Sequence, residues 1–473
     1  MFRATAPLFA LLAACGDPPS TQESADGEAD DRVALVGGEV PRGVVAGTPN
    51  VLIVTIDTLR ADHLGFHGYT AGTSPFLDGL AEESVVFDRV YAPVATTLPS
   101  HTTMFTGVLP LEHGVLANIA DGRTYKRRED LVTLAELFEA AGYSTDAIVS
   151  AYPLRAEFGL DTGFERYSSP PRRQRIASAT TDAAQAAMAD QIERRKPGFL
   201  WLHYFDPHGP YNPPSEVLDL FDVMSTERAD ELRARGFAER AQRPTGQWNI
   251  LETGIRAYDA EIRFVDQELA RLFESAAASG WMADDTVVLI AADHGEGLNQ
   301  HGVPGHGLVW EEHLHVPMLL RAKGVAPRRL PGPASLADLA PTLLHVLDLP
   351  GTDAFLEQVT GVNRFAPTVS HADLRILAHT SPRLAEGEDL GFSLRAGKWK
   401  LHRDAGGEAS LYDLDADPDE LTDIAAEQPD VVAKLAAELD AQLARARGEV
   451  RTEEASDDAR SALESLGYGG AGR

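Results

Sequence analysis

Asp57, Thr97, His101, His208, Asp293, His294, His301 and His306 are the residues whose types and positions could do chemistry together. Thr97 stands two places before Pro99 in the stretch Tyr91 to Gly107. Proline is favoured in the first turn of a helix, where its missing N–H costs nothing. Gly107 suits the left-handed stop at the other end, so the spacing predicts a short helix over 99–106. Free backbone N–H groups and the helix dipole favour an anion at such an amino end. A hydroxyl facing a bound phosphate or sulfate there is a nucleophile once a metal or base activates it. Threonine is also an ordinary helix cap, so the rest of a site has to be found elsewhere in the chain.

Asp57 closes the apolar run Val51 to Ile56, and Asp293-His294-Gly295-Glu296 closes the run Thr286 to Ala292. Asp57 could be a helix cap or a metal ligand. A carboxylate and an imidazole side by side offer one oxygen and one nitrogen ligand. Neighbours on a regular strand point to opposite faces, so the chain must turn at Asp293 for both to reach one ion, and Gly295 permits it. His208 follows a further buried run, Gly198 to Phe205. Asp57, Asp293 and His294 are candidate ligands of a divalent cation, Ca, Mn or Zn, with Thr97 as a hydroxyl it could activate; it is the family resemblance given below that implies this set. His101, His208, His301 and His306 leave room for a second ion, or else donate to the anion. His301 and His306 are the preferred site members, whereas His313 and His315 read as structural.

These residues need a frame. The runs at 51–56, 144–150, 198–205 and 286–292 are continuous rather than alternating, which suits parallel strands covered on both faces. Sites in such sheets lie beyond the carboxyl ends of the strands. Thr133 and Glu136 form a capping box, and Ile262, Val265, Leu269 and Leu272 give 257–273 helical spacing. Residues 215–247 read as polar helices over the site mouth. The basic run 170–175 reads as solvated surface.

The segments PNVLIVTIDTLRADHLGFHGY, SPFLDGLAEESVVFDRVYAP and TLPSHTTMFTGVLPLEHGV closely resemble the start of the sulfatase family, in the alkaline phosphatase superfamily. Asp206-Pro207-His208-Gly209-Pro210, Asp293-His294-Gly295-Glu296, Leu394 to Leu401 and Leu411 to Leu421 match the same family, over about residues 49–445. The resemblance implies an α/β fold: a large mixed, mostly parallel sheet flanked by helices, with a small C-terminal α+β subdomain. It implies a metal on Asp57 and a nucleophile in the pattern Cys/Ser-x-Pro-Ser-Arg, matched here by Thr97-Leu98-Pro99-Ser100-His101. It implies that His208 contacts the ester oxygens. Two departures stand out. Ala151-Tyr152-Pro153 replaces the Lys-x-His pair that sulfatases commonly carry there, and His306 stands where they have Lys. The only cysteine is Cys15, so the formylglycine that sulfatases make from Cys or Ser is out of reach at position 97. An alkoxide from threonine suits phosphoryl transfer. The expected function is therefore hydrolysis of phosphate mono- or diesters, with sulfate esters possible, through a phospho-threonine. A head-group transferase using the same intermediate and a non-catalytic binding lipoprotein are the alternatives.

The chain has 473 residues, 42 basic and 72 acidic, a net charge of −30. So acidic a surface argues against nucleic acid as a partner. An anionic ester, small or carried on a glycan or lipid, needs a local positive site to enter. Residues 1–15 read as a bacterial lipoprotein signal: Arg3, the apolar run 6–14, then Leu12-Ala13-Ala14-Cys15-Gly16. Lipidation of Cys15 would anchor the protein in the cell envelope. Residues 16–48 read as a flexible acidic tether, 49–375 as the catalytic domain, 376–447 as the small subdomain and 448–473 as a loosely ordered tail. The oligomeric state has no sequence signal.

Overall fold

Three parallel strands at the centre of the molecule end at one level, and that alignment builds the site. Val51–Ile56 is buried along its whole length and pairs in parallel with Gly198–Tyr204 on one side and Val287–Ala292 on the other. The registers put Ile56 opposite both Tyr204 and Ala292. Asp57, Phe205 and Asp293, the next residue of each chain segment, therefore emerge together at the carboxyl edge.

The structure, a computed structural model, describes residues 40–465 apart from 171–173, 239, 244–245, 250–252, 367–373, 383–389 and 447. Cys15, the tether as far as residue 39, half of the basic run at 170–175 and the tail beyond 465 lie outside the described residues. The main sheet has eight strands, in the order Arg328–Ser335, Val85–Tyr91, His315–Arg321, Val287–Ala292, Val51–Ile56, Gly198–Tyr204, Ser144–Ile148, Arg166–Ser168. His315–Arg321 runs against both of its neighbours, which makes the sheet mixed. The other pairings are parallel. Helices flank the sheet. Ile255–Ser279 is the longest, with Ile262, Val265, Leu269 and Leu272 all buried. The capping box at Thr133 forms, with Glu136 N–H on the threonine side chain and Thr133 N–H on the glutamate.

Thr97–Thr106 is the helix that carries Thr97 at its head. It starts at Thr97, two residues before the sequence places it, because the Leu98 N–H finds Asn118 Oδ1 at 2.7 Å and this substitutes for a cap. Gly107 ends it at φ +69°, and a Cβ there would meet Val359 at 2.8 Å. Residues 215–247, expected as helices, form two short ones, Ser215–Leu218 and Thr226–Ala234, and then the antiparallel strands Arg240–Arg243 and Gly246–Asn249.

The C-terminal part is a four-stranded antiparallel sheet, Arg375–His379, Phe392–Ala396, Trp399–Arg403 and Ala409–Asp413. It has a small core of its own, in which Leu435 and Leu439 of helix Pro429–Arg445 meet Leu394, Leu401 and Leu411. The expectation of a loose tail from 448 is corrected through 465. Arg451–Glu454 pairs antiparallel with Arg123–Lys126. Ala455, Ala459 and Leu463 enter the main core, the last two from helix Asp457–Ser465. The apolar spacing of these three residues within a polar stretch was the signal that the composition hid.

Candidate active site

Asp57 and Asp293 sit side by side at the strand ends, both fully buried. His294 is as buried, and one ligand atom from each of the three lies within 4.8 Å of the others. The chain turns at Asp293 as required. Its Oδ1 accepts the N–H groups of Thr58 at 3.1 Å and His294 at 2.8 Å. The close packing of Gly295 against the Glu312 carbonyl, 2.1 Å from a built Cβ, leaves no room for a side chain at the turn.

The protonation pattern says what the pocket wants. His294 Nδ1 lies 3.0 Å from the Gly295 carbonyl, which can only accept, so the proton is on Nδ1. The Nε2 lone pair then faces Asp57 Oδ1 at 3.7 Å and Asp293 Oδ2 at 3.4 Å. Both Asp57 oxygens and Asp293 Oδ2 have no hydrogen-bond partner among the described residues. Burial pushes the Asp57 carboxyl well above the usual range, and the charge of Glu296 adds to it. Burial and then the charge of Asp57 do the same to Asp293. Lone pairs converging in a dry site repel and cost several kcal/mol. A divalent cation reverses the sign of every one of these terms, so Asp57, Asp293 and His294 fit a metal.

A second group, His101, His203 and Asp293, is equally close-set. Its histidines are already committed. His101 Nδ1 donates to the Thr97 carbonyl at 2.7 Å, and its Nε2 accepts from Thr55 Oγ1 at 3.0 Å. His203 Nδ1 accepts the Ser150 N–H at 3.4 Å, which leaves its proton on Nε2, 3.4 Å from Asp57 Oδ2. Burial, and for His101 the neighbouring His203 as well, holds both rings neutral. With His101 tied to the Thr97 carbonyl and Thr55, Asp57, Asp293 and His294 are the set that better fits a cation. The sequence reading missed His203. It sits inside a buried strand, opposite Thr55, and only the pairing of that strand with Val51–Ile56 brings it to Asp57.

Thr97 is buried at the head of its helix, and the backbone on both sides of it is tied to the site. His306 Nδ1 donates to the Ala95 carbonyl at 2.8 Å, while His101 binds the Thr97 carbonyl. His101 Nδ1 is also 3.7 Å from Asp293 Oδ2. His208 and His306 come together, Nε2 to Nε2, at 3.3 Å. Since the Nδ1 atoms of both rings face carbonyls, Gly209 and Ala95, the two Nε2 lone pairs face each other, an arrangement that a shared proton or a cation would relieve. His306 also lies against His294, with ring centroids 4.3 Å apart.

His301 is not brought to this centre, contrary to the expectation of a ligand. Its ring stacks on Trp310 at 3.8 Å, and its Nε2 faces Glu312 Oε1 at 3.9 Å. The left-handed backbone at His301, φ 52°, turns the ring that way. Neither His313 nor His315 belongs to the metal-fitting groups found among the described residues. His313 Nδ1 accepts the Leu308 N–H at 3.1 Å, and the His315 ring stacks on Tyr91. Where sulfatases carry Lys-x-His, Tyr152 is buried and donates to Glu157.

The sulfatase family model matches residues 49–349. The chain belongs to the sulfatase family. It is an ester hydrolase of the alkaline phosphatase-like superfamily, whose members in this family act on sulfate esters. It is similar to a choline-sulfatase of Rhizobium meliloti, with 25% identity over 81% of this chain and 83% of that one. It is also similar to a Δ4,5-hexuronate-2-O-sulfatase of Bacteroides thetaiotaomicron, with 24% identity over 89% and 94%. Among solved structures it resembles the phosphonate monoester hydrolase of Agrobacterium radiobacter, with TM-score 0.66 and 21% identity over 86% of this chain and 97% of that one. Another neighbour, at TM-score 0.67 and 18% identity over 85% and 98%, was solved with its substrate D-glucosamine-2-N,6-O-disulfate.

Proposed function

We propose that this sulfatase-family hydrolase cleaves phosphate mono- or diesters through a covalent phospho-threonine at Thr97, with sulfate esters as weaker substrates. The observation that carries the reading is a threonine at the head of a buried helix, its own carbonyl bonded to His101 and the Ala95 carbonyl just before it bonded to His306, with His101 3.7 Å from the Asp293 carboxylate. A hydroxyl keeps its single oxygen through attack and release, which suits phosphoryl transfer. The phosphonate monoester hydrolase among the neighbours and the sulfated-sugar ligand of another support an anionic ester as substrate.

Asp57, Asp293 and His294 would hold the cation. When bound, it eases ionisation of the hydroxyl and screens the ester's charge. In the first half-reaction the Thr97 Oγ–P bond forms as the bond to the leaving oxygen breaks. The proton shared by His208 and His306 passes to that oxygen, and the Thr97 proton goes to water. In the second half, water attacks phosphorus and gives a proton to the histidine pair, and Thr97 Oγ departs and is reprotonated from water. The positive charge of the pair also meets the incoming anion, in a protein that is acidic overall.

The test is Thr97→Ala and Thr97→Ser assayed on aryl phosphate, phosphodiester and sulfate esters with Ca²⁺, Mn²⁺ or Zn²⁺. The alanine variant should lose turnover and the serine variant keep part of it. Acid-quenched wild type should yield a peptide phosphorylated at Thr97 by mass spectrometry. Full activity in Thr97→Ala would end the nucleophile assignment.

A further inference from the structure

Glu261 projects from helix Ile255–Ser279 and is 3% exposed. Its Oε1 accepts the Asn212 N–H at 2.6 Å. The same carboxyl is in hydrogen-bonding contact with the carboxyl of Asp206. Asp206 and Asn212 bracket His208, so one buried side chain grips both ends of the loop that carries this histidine. Asp206 Oδ2 and Glu261 Oε2 have no other partner among the described residues. Two carboxylates are acceptors only, so a contact between them is cohesive when one retains a proton and donates it to the other.

We infer that Glu261 is a positioning residue: it shares a proton with Asp206, and this carboxyl pair fixes the His208 loop for ester cleavage. The inference rests on the role given above to His208. That ring stacks on Phe205 at 4.5 Å and meets His306 at 3.3 Å. A loop freed at either end would carry His208 away from its partner, and displacements of about 1 Å at a reacting group cost on the order of 100-fold in rate.

The surroundings keep the proton in place. Burial raises both carboxyls, and for Glu261 the charge of Asp206 adds to it. Glu268, on the same helix, pushes Asp206 further in that direction. The backbone N–H groups of Asp206 itself and of Ala177 oppose this by bonding to Asp206. Tyr204, on the adjoining strand, has its phenol raised by burial first, with smaller effects from Glu268 and Asp206. Arg271 is turned to Glu268 Oε2 and Asp182 Oδ1. Tyr211, inside the loop, packs on Tyr258 at 5.5 Å.

Glu261→Gln and Glu261→Ala separate the possibilities. Glutamine keeps an acceptor for Asn212 and donates permanently to Asp206, so it imitates the protonated state. It should retain kcat within about three-fold and lose the alkaline fall in kcat that wild type should show between about pH 7 and pH 10. Alanine should lower kcat by about 10- to 100-fold. If the alanine variant does not fold, the glutamine variant alone decides. Melting temperature against pH is the second readout. In wild type the folded state holds the extra proton, so stability should decline as pH rises from the usual carboxylate range (about 4.3) towards the raised folded value, and Glu261→Gln should flatten that decline. An unchanged pH–stability curve in Glu261→Gln, or an unchanged alkaline limb, overturns the inference. If the stability curves differ as expected but no ester is turned over by either protein, the proton-sharing pair stands and the catalytic reading of His208 falls.

Discussion

Replacing Asp293 with asparagine separates the metal from the fold. Asparagine keeps an oxygen for the Thr58 and His294 N–H groups, 3.1 and 2.8 Å away in the native site, but removes the charge that faces Asp57 and the His294 lone pair. In chelator-treated protein the substitution should therefore raise stability, because a buried, uncompensated anion is gone. In metal-loaded protein it should do the reverse. A cation at 100 times its Kd adds about 2.7 kcal/mol to the native state. For the unit Leu35–Arg473, an unfolding entropy of ~2.1 cal/mol/K per residue gives about 0.9 kcal/mol/K, and the wild-type midpoint should rise by about 3 °C. Differential scanning calorimetry with and without Ca²⁺, Mn²⁺ or Zn²⁺ reads this directly. The variant should melt above wild type in chelator and show no shift with any cation. A wild-type midpoint indifferent to all three cations, or a shift that survives in Asp293→Asn, would refute the metal assignment.

His208→Ala and His306→Ala should each lower kcat by about 10²–10³, the usual cost of removing one donor to developing charge, and the double variant should fall little further because the two share one proton; an additive double variant in steady-state assays would count against the pair. Lys400→Met should destabilise by about 3–5 kcal/mol in chemical denaturation, since it leaves Glu420, 3.0 Å from the ammonium, buried without that cation, and leaves Glu311 with Arg395 alone. Although burial raises the Glu420 carboxyl, Lys400 and His402 hold it below the usual range, so its contribution is complete at neutral pH and is lost only as pH falls below that range. Leu463→Ala should cost about 2–5 kcal/mol, as for any fully buried leucine, and a normal urea midpoint would mean that helix Asp457–Ser465 is not part of the core.

The strands, their parallel sense and the residues at their ends were legible because continuous apolar runs and strand-terminal acids are local signals. Asp57, Asp293 and His294 could be grouped once those signals were joined to the sulfatase resemblance. His203 could not, since a histidine inside an apolar run reads as core until the neighbouring strand is known. His301 failed for the opposite reason. It shares a histidine-rich stretch with His306, but a left-handed residue sends one ring to Trp310 and leaves the other in the site. The grip of Glu261 on the His208 loop links residues far apart in sequence and has no local pattern at all. The same holds for the tail. Its few apolar residues look dispensable until Arg451–Glu454 is seen paired with Arg123–Lys126.

That pairing has a consequence for biosynthesis. Ribosomes release a chain from its amino end, so Arg123–Lys126 must wait for more than three hundred further residues before its partner strand exists. Leu463 reaches the main core later still. Pairing of Arg123–Lys126 and filling of this part of the core are therefore open to the chain only once its carboxyl-terminal stretch has been made.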